Sequence, residues 1–200
     1  KKLGPNPTRK EILANWTPED PVFWKKFGEK IAKQNLYTST WALVLSFVVW
    51  TLWATIAAKL NMVGFHFTDE QLFTLAALQD LTTSYDTFVL LVSFIGIADA
   101  NLSASMANIG FFFPKAHKGL ALGINAGVGN LGVSLIYLTA PLLLGWNLSS
   151  FFGPGVETPN GMMYVQNVCY FWTVPTALTL VLIWMFMDNL PLPKQSPKSM

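Results

Sequence analysis

Four long runs of apolar residues, separated by polar links, dominate the pattern of this chain. They cover Trp41 to Ala58 (extendable to 36–60), Phe88 to Phe113, Gly119 to Trp146 and Val165 to Met187. Each run reaches the roughly 20 residues that a helix needs to cross about 30 Å of hydrocarbon. The pattern therefore predicts an all-α, polytopic membrane protein with about four transmembrane helices.

Composition strengthens this prediction. Of the 200 residues 52% are apolar and only 12% are charged, whereas a soluble domain has roughly 25% charged residues. A net charge of +2 with a single arginine, Arg9, argues against nucleic acid as a partner. The single Cys169 and the widely separated His66 and His117 predict no disulfide and no metal cluster. We expect no metal and no cofactor.

Basic residues are distributed unevenly between the links. Lys59 is the one basic residue in the links after the first and third runs. The others lie in the N-terminal segment, the 114–118 link and the C-terminal tail, and the positive-inside rule therefore places all three in the cytoplasm. We expect a cytoplasmic segment over 1–35, a transmembrane bundle over 36–187 and a cytoplasmic tail over 188–200.

A short amphipathic helix is predicted before the first run. Asp20 followed by Pro21 has the form of an N-cap and a first helical residue. Apolar side chains then recur near helical spacing between lysines, at Phe23, Trp24, Phe27 and Ile31. Such a helix is suited to an anionic lipid surface. A solvated helix packed on its own bundle explains the pattern equally well.

The third run is rich in glycine and asparagine. Gly119, Gly123 and Gly127 are four residues apart and share a helix face, where small residues let another helix approach closely. Gly129 and Gly132 leave a second line of the helix surface without side chains. Helix packing is one explanation of these glycines.

Polar groups deep in the third run extend the pattern; they are Asn125, Asn130 and Ser134. Gly123, Gly127, Asn130 and Ser134 follow the spacing i, i+4, i+7, i+11 and form one stripe. At this density of asparagine the pattern favours a helix that lines a polar pathway, with interhelical hydrogen bonding as the alternative.

The second run repeats the theme, because Asn101, Ser105 and Asn108 also share one face. Two such stripes facing each other would make a narrow, uncharged passage suited to a small planar solute. Asp99 lies in the same run, where an ionised carboxylate costs roughly 2.5–3.5 kcal/mol. Asp99 is either a proton-coupling acid or an acid tolerated near a helix seam.

The segment Ser105-Met-Ala-Asn-Ile-Gly-Phe-Phe-Phe-Pro-Lys115, followed by 119–134, resembles the nitrate/nitrite porter (NarK-like) family of the major facilitator superfamily. Residues 123–132 resemble the nitrate signature in the fifth transmembrane helix of that family, and 16–24 and 64–73 resemble its N-terminal region. The resemblance implies an inner-membrane transporter of nitrate or nitrite, embedded in the lipid bilayer, and not an enzyme.

The resemblance has one gap. Porters of this family have twelve helices in two halves, whereas here the family pattern breaks after about Leu78 and resumes near Leu81. Most of family helix two and all of helix three are missing, so the four runs correspond to helices one, four, five and six. This implies an N-terminal half with an apparent internal deletion, inactive alone. It is either a fragment, an internally deleted copy, or one half that assembles with a complementary half or with itself.

The resemblance also suggests site residues. Asn130 matches a family asparagine that contacts the anion, and Phe47 matches the aromatic wall of the site. Asn101 matches a family position, but Leu102 stands where the family often has phenylalanine, and Asp99 stands where it has a small residue. The arginines of the family's anion clamp have no counterpart here.

A non-transporting membrane protein is the alternative function. Four helices with a small-residue face could dock another helix through Gly119, Gly123 and Gly127. An enzyme has no support in the sequence, which shows no nucleophile–base pair and no phosphate-binding loop.

Overall fold

The structure is a computed structural model that describes residues 3–4, 6–64, 68, 101–148, 151 and 153–191. Its helices are α1 (Arg9–Ala14), α2 (Pro21–Ala57), α3 (101–112), α4 (Lys115–Gly129), α5 (Leu131–Gly145) and α6 (Val165–Phe186). A 3₁₀ turn (Leu60–Val63) follows α2, and a hairpin of β1 (Val156–Thr158) and β2 (Gly161–Met163) precedes α6.

Three helices of the described residues are long and apolar enough to cross a membrane. They are Pro21–Ala57, Lys115–Gly145 (α4 and α5 together) and Val165–Phe186, and they correspond to the first, third and fourth apolar runs. The second run is helical over 101–112, and its earlier part lies outside the described residues. The predicted all-α membrane fold is confirmed.

Helix α2 begins as the sequence predicts. The Asp20 carboxylate accepts hydrogen bonds from the backbone N–H groups of Val22 (2.9 Å) and Phe23 (3.3 Å), and Pro21 is the first helical residue. A π-helical turn, Trp24–Gly28, follows. The helix then continues unbroken into the first apolar run, so the expected boundary between residues 35 and 36 falls inside α2.

The apolar face of the amphipathic segment packs on the bundle itself. Phe23 and Ile31 are buried with side chains from α1, α2, α3 and α4; the cluster comprises Ile12, Phe23, Ile31, Ala32, Leu36, Ile109, Phe112, Phe113 and Ala121. Trp16 meets Phe23 and Phe112 edge-on, at ring distances of 5.3 and 4.9 Å. Of the two explanations of the amphipathic pattern, the structure therefore supports packing on the bundle.

A clasp of polar contacts holds the N-terminal segment to the end of α6. The Arg9 guanidinium pairs with the Asp188 carboxylate and donates to Gln34 Oε1 (3.0 Å). Asn35 Nδ2 (2.9 Å) and Asn108 Nδ2 (3.2 Å) both donate to the Asp188 carbonyl. The hydrogen bond that Arg9 donates to the Asp188 carboxylate raises the pKa of Arg9 above its ordinary value.

At the opposite end, α2, α5 and α6 converge on the hairpin. Their cluster comprises Leu45, Val48, Ile136, Ala140, Leu143, Val168 and Trp172. The Asn167 amide donates to the carbonyls of Leu143 (3.1 Å) and Trp146 (2.6 Å), which satisfies backbone acceptors left open at the end of α5. The strands pair antiparallel through Thr158 and Gly161, and Gly161 has the positive φ of 111° that this tight turn requires.

Candidate functional site

Asn125 joins three helices by hydrogen bonds. Its side chain is fully buried, its Oδ1 accepts from Thr40 Oγ1 of α2 (3.2 Å), and its Nδ2 donates to Ser105 Oγ of α3 (3.0 Å). The Ser105 hydroxyl in turn donates to the Leu102 carbonyl (3.0 Å). This side chain therefore forms interhelical hydrogen bonds, which was the alternative given above for the polar residues of the third run.

The polar stripe of α3 also faces inward. Asn101 Nδ2 donates to Ser46 Oγ of α2 (2.9 Å), and Asn108 Oδ1 accepts from Asn35 Nδ2 (3.1 Å). Together with Ser105, these residues give α3 one hydrogen-bonding face, as their spacing predicts. The face packs on α2 and α4.

Two glycines allow α2 to approach the α4–α5 helix closely. A Cβ added at Gly132 would lie 2.1 Å from the Val44 carbonyl oxygen and 2.9 Å from Phe47 Cβ. A Cβ at Gly129 would lie 2.6 Å from the Leu43 side chain. Because Val44 contributes backbone atoms to this contact, a side chain at 132 cannot be accommodated by a change of rotamer.

The other glycines of the segment lie on an open face. A Cβ added at Gly119, Gly123 or Gly127 would meet no described atom within 4 Å. The stripe expected from the sequence is exposed along its whole length: Gly123, Gly127, Asn130 and Ser134. Asn130 links α4 to α5, and its Nδ2 donates to the Ala126 carbonyl (2.8 Å).

The structure brings the three predicted anion contacts to one level of the bundle. Ser46, which binds Asn101, is adjacent in α2 to Phe47, and Phe47 touches the Gly132 position two residues beyond Asn130. Asn130 is nevertheless exposed, whereas Asn101 is turned inward onto α2. Within the described residues the two stripes do not face each other, so they do not form the expected passage.

Charge is absent from the described part of these spans. Residues 34–58, 101–114, 119–145 and 165–186 contain no Asp, Glu, Lys or Arg. The sole arginine of the chain, Arg9, is held by Asp188 at one end. Asp99, the predicted proton site, lies outside the described residues, and its role stays a prediction.

Sequence reasoning missed the partners on α2. Asn35, Thr40 and Ser46 supply hydrogen bonds to α3 and α4. The available signal was that these polar residues interrupt or border an apolar run, where an unpaired polar group is costly. The Arg9–Asp188 pair joins residues 179 positions apart, and no local pattern indicates it.

No protein-family model matches the chain. It is 35% identical to the nitrate/nitrite transporter NarU of Salmonella typhimurium over 94% of this chain and 50% of the relative. It is 34% identical to Escherichia coli NarU, over 90% of this chain and 48% of the relative.

A more distant relative is the probable nitrate/nitrite antiporter NarK2 of Thermus thermophilus, which is 27% identical over 90% of this chain and 51% of the relative. The chain spans about half the length of the curated relatives that it matches. These relatives are transporters or antiporters and not enzymes. Nearly the whole length of the chain is therefore related to about half of these nitrate/nitrite transporters, and its long apolar helices agree with a membrane protein of that kind.

Proposed function

We propose that the chain is part of a nitrate/nitrite transporter of the inner membrane, and that its exposed Gly/Asn stripe faces the path of the anion. The observation that carries the proposal is the position of Asn130. It lies on an open, uncharged face between small residues, in a chain related to nitrate/nitrite transporters over nearly its whole length.

Asn130, Phe47 and Asn101 are the proposed anion contacts. An asparagine amide has two N–H donors, and Asn130 gives one hydrogen bond to its own helix, to the Ala126 carbonyl. Its second N–H can therefore serve a planar oxyanion. The Asn101 amide donates to Ser46, so it would contact an anion once this hydrogen bond is broken.

The relation to the Salmonella transporter supports an internal deletion. The match extends over 233 residues, whereas 94% of this 200-residue chain is 188 residues. The difference, 233 less 188, leaves about 45 positions without a counterpart in this chain. At 1.5 Å per residue, such a length suffices for two membrane-crossing helices.

We propose that the chain is inactive alone, because it has no available arginine to bind the anion. An anion that leaves water for a low-dielectric site needs compensating charge, and a guanidinium supplies a planar fork of donors that matches an oxyanion. The only guanidinium of this chain is paired with Asp188. A complementary half would have to provide the missing cation.

Both termini are proposed to lie on the cytoplasmic side. The Arg9–Asp188 pair supports a common side, because it joins the N-terminal segment to the residues just after α6. The lysines of the N-terminal segment and of the 115–118 link support the cytoplasmic assignment.

Uptake of isotope-labelled nitrate by a host without its own nitrate transporters tests the proposal. Three forms are compared: the chain alone, the chain with the second half of the Salmonella relative, and that pair with the missing internal segment of the relative restored. We expect uptake from the third form alone. Asn130→Ala should abolish that uptake, whereas the matched control Ser134→Ala on the same face should retain it.

Two results would contradict the proposal in different ways. Saturable uptake by the chain alone would show that it is not incomplete. Absence of uptake from all three forms, each shown to be folded in the membrane, would exclude the anion path. As an independent check of completeness, the intact mass of the protein extracted from native membranes can be compared with the 22.2 kDa of this chain.

The open glycine face favours one alternative, a non-transporting assembly protein. Gly119, Gly123 and Gly127 leave room for the backbone of another helix. In that case Gly123→Leu would abolish association with itself or a partner, as measured by energy transfer between labelled copies in lipid vesicles. Under the transport proposal, self-association of this chain is not affected by Gly123→Leu.

A further inference from the structure

A cavity of about 340 Å³ lies at the end of the bundle opposite the Arg9–Asp188 clasp. Its walls come from the end of α2, the last turns of α5 and the hairpin. Most of the lining is apolar, and the polar side chains that it presents are Thr55, Lys59, Tyr137, Thr158 and Asn160.

Three side chains of this cavity have hydrogen-bond donors that are not engaged. Within the described residues, the Lys59 ammonium, the Tyr137 hydroxyl and the Asn160 amide have no hydrogen bond or ion pair. The two threonine hydroxyls donate to backbone carbonyls, Thr55 to Thr51 (2.9 Å) and Thr158 to Gly161 (2.6 Å). No Asp or Glu is among the described lining residues, so the cavity has one positive charge and no described negative one.

The cavity also continues the exposed stripe. Tyr137 and Pro141 follow Asn130 and Ser134 at spacings of three and four residues, and all four are exposed. They therefore lie on the same face of the α4–α5 helix. An anion that leaves the cavity along this face passes Ser134 and reaches Asn130 next.

We infer that this cavity is a capture site for a small monovalent oxyanion, with Lys59 as its cation and Tyr137 and Asn160 as neutral donors. The inference rests on the proposed function and assigns it a first binding step. Low-dielectric walls around a single charge focus its field and raise the local concentration of counter-ions. An ammonium is a compact, strongly hydrated charge, which suits weak and exchangeable binding. A phospholipid phosphate has the same anionic chemistry, and the test separates the two sources.

The rate at which a water-soluble succinimidyl ester acylates Lys59 measures the occupancy of this site directly. The 200-residue chain is placed in phosphatidylcholine nanodiscs, and the modified peptides are quantified by mass spectrometry. Lys59 is the only lysine between Lys33 and Lys115, so its peptide is unambiguous. Exposed Lys30, near the other end of α2, is the internal control.

At constant ionic strength, high nitrate or nitrite should slow acylation of Lys59 about threefold, since a partly exposed ion pair contributes little. Chloride and sulfate should protect less, and Lys30 should not respond. Removing both neutral donors, by Tyr137→Phe with Asn160→Ala, should reduce the protection while leaving the Lys59 reporter in place.

Three outcomes would overturn the inference. Equal protection by all anions would indicate screening alone. Protection by phosphatidylglycerol in the nanodisc but not by nitrate would assign the site to a lipid phosphate. No protection by any anion would leave the cavity without a ligand of this class. Asn130→Ala should not change protection of Lys59, so failure of the transport proposal is distinguishable from failure of this one.

Discussion

The two faces of the helix formed by α4 and α5 carry the same residue types in opposite surroundings. On one face Asn125 is fully buried between three helices, and Gly129 and Gly132 accept the side chains and backbone of α2. On the other face Asn130 is exposed and Gly127 meets no described atom within 4 Å. Residue type alone therefore does not distinguish the part that holds the bundle together from the part that is free to bind a solute.

Helical register makes the difference. Asn125 and Asn130 are five residues apart, which turns one about 140° from the other around the axis at 3.6 residues per turn. A side chain on the buried face is constrained by packing, because a polar group there must find a partner and a larger one has no room. The open face has no such constraint, so substitutions there should leave folding intact.

We expect the largest difference in stability between the two faces when a glycine of each face is replaced. Gly132→Ala places a methyl group 2.1 Å from the Val44 carbonyl oxygen, and backbone atoms of a packed helix cannot move aside cheaply. We expect a loss of about 3 kcal/mol or more in the free energy of unfolding, the upper range for overpacking. Denaturation by SDS in mixed micelles, followed by tryptophan fluorescence, measures it.

Gly127→Ala is the matched control, because a Cβ there meets no described atom within 4 Å. Alanine has a higher helix propensity than glycine by up to about 1 kcal/mol, so this variant should be as stable as the parent or more stable. Equal destabilisation by both substitutions would mean that the open face is packed in the membrane.

The two asparagines provide the next largest difference. Asn125→Leu removes the partner of Thr40 and Ser105 and should cost about 1–2 kcal/mol, the range for interhelical hydrogen bonds in membranes. Asn130→Leu removes one hydrogen bond, to its own helix, and should cost less. Unfolding in the same micelles compares them, and a larger loss from Asn130→Leu would reverse the assignment of the faces.

Much of the architecture can be read from the sequence, because lipid imposes one strong condition. A run of about 20 apolar residues must form a helix to satisfy its backbone, and this predicts α2, the helix formed by α4 and α5, and α6. The start of α2 at Asp20 follows from local capping chemistry. The continuity of α2 across residue 35 does not follow from the sequence, since the polar Asn35 suggests the start of the membrane span. The hydrogen-bond partners of Asn35, which are Asn108 and the Asp188 carbonyl, are 73 and 153 residues away.

The candidate site is predictable in part for the same reason. Spacing groups Gly123, Gly127, Asn130 and Ser134 onto one face, and the structure agrees. Which face is buried cannot be deduced, because both faces mix small and apolar residues and differ little in hydrophobicity. The inward turn of Asn101 depends on Ser46, a residue of another helix, and sequence spacing within one helix carries no information about it.

Gly129→Ala should have an intermediate effect. Its Cβ would meet the Leu43 side chain at 2.6 Å, and a side chain can change rotamer where a backbone cannot. We expect a loss of about 1–2 kcal/mol, within the overpacking range and below that of Gly132→Ala. Leu43→Ala on the same chain should recover part of the loss, as measured by micellar unfolding. Absence of any recovery would show that Leu43 is not the obstacle.

The serines should show the smallest difference, and a double-mutant cycle can resolve it. Ser105 accepts a hydrogen bond from Asn125 Nδ2 at 3.0 Å and donates to the Leu102 carbonyl, so Ser105→Ala should cost about 1 kcal/mol. Exposed Ser134→Ala should change stability by less than about 0.5 kcal/mol. Combined with Asn125→Leu, the Ser105 substitution should be non-additive because both changes remove one hydrogen bond, whereas the Ser134 substitution should be additive. Coupling between Asn125 and Ser134 would contradict the separation of the two faces.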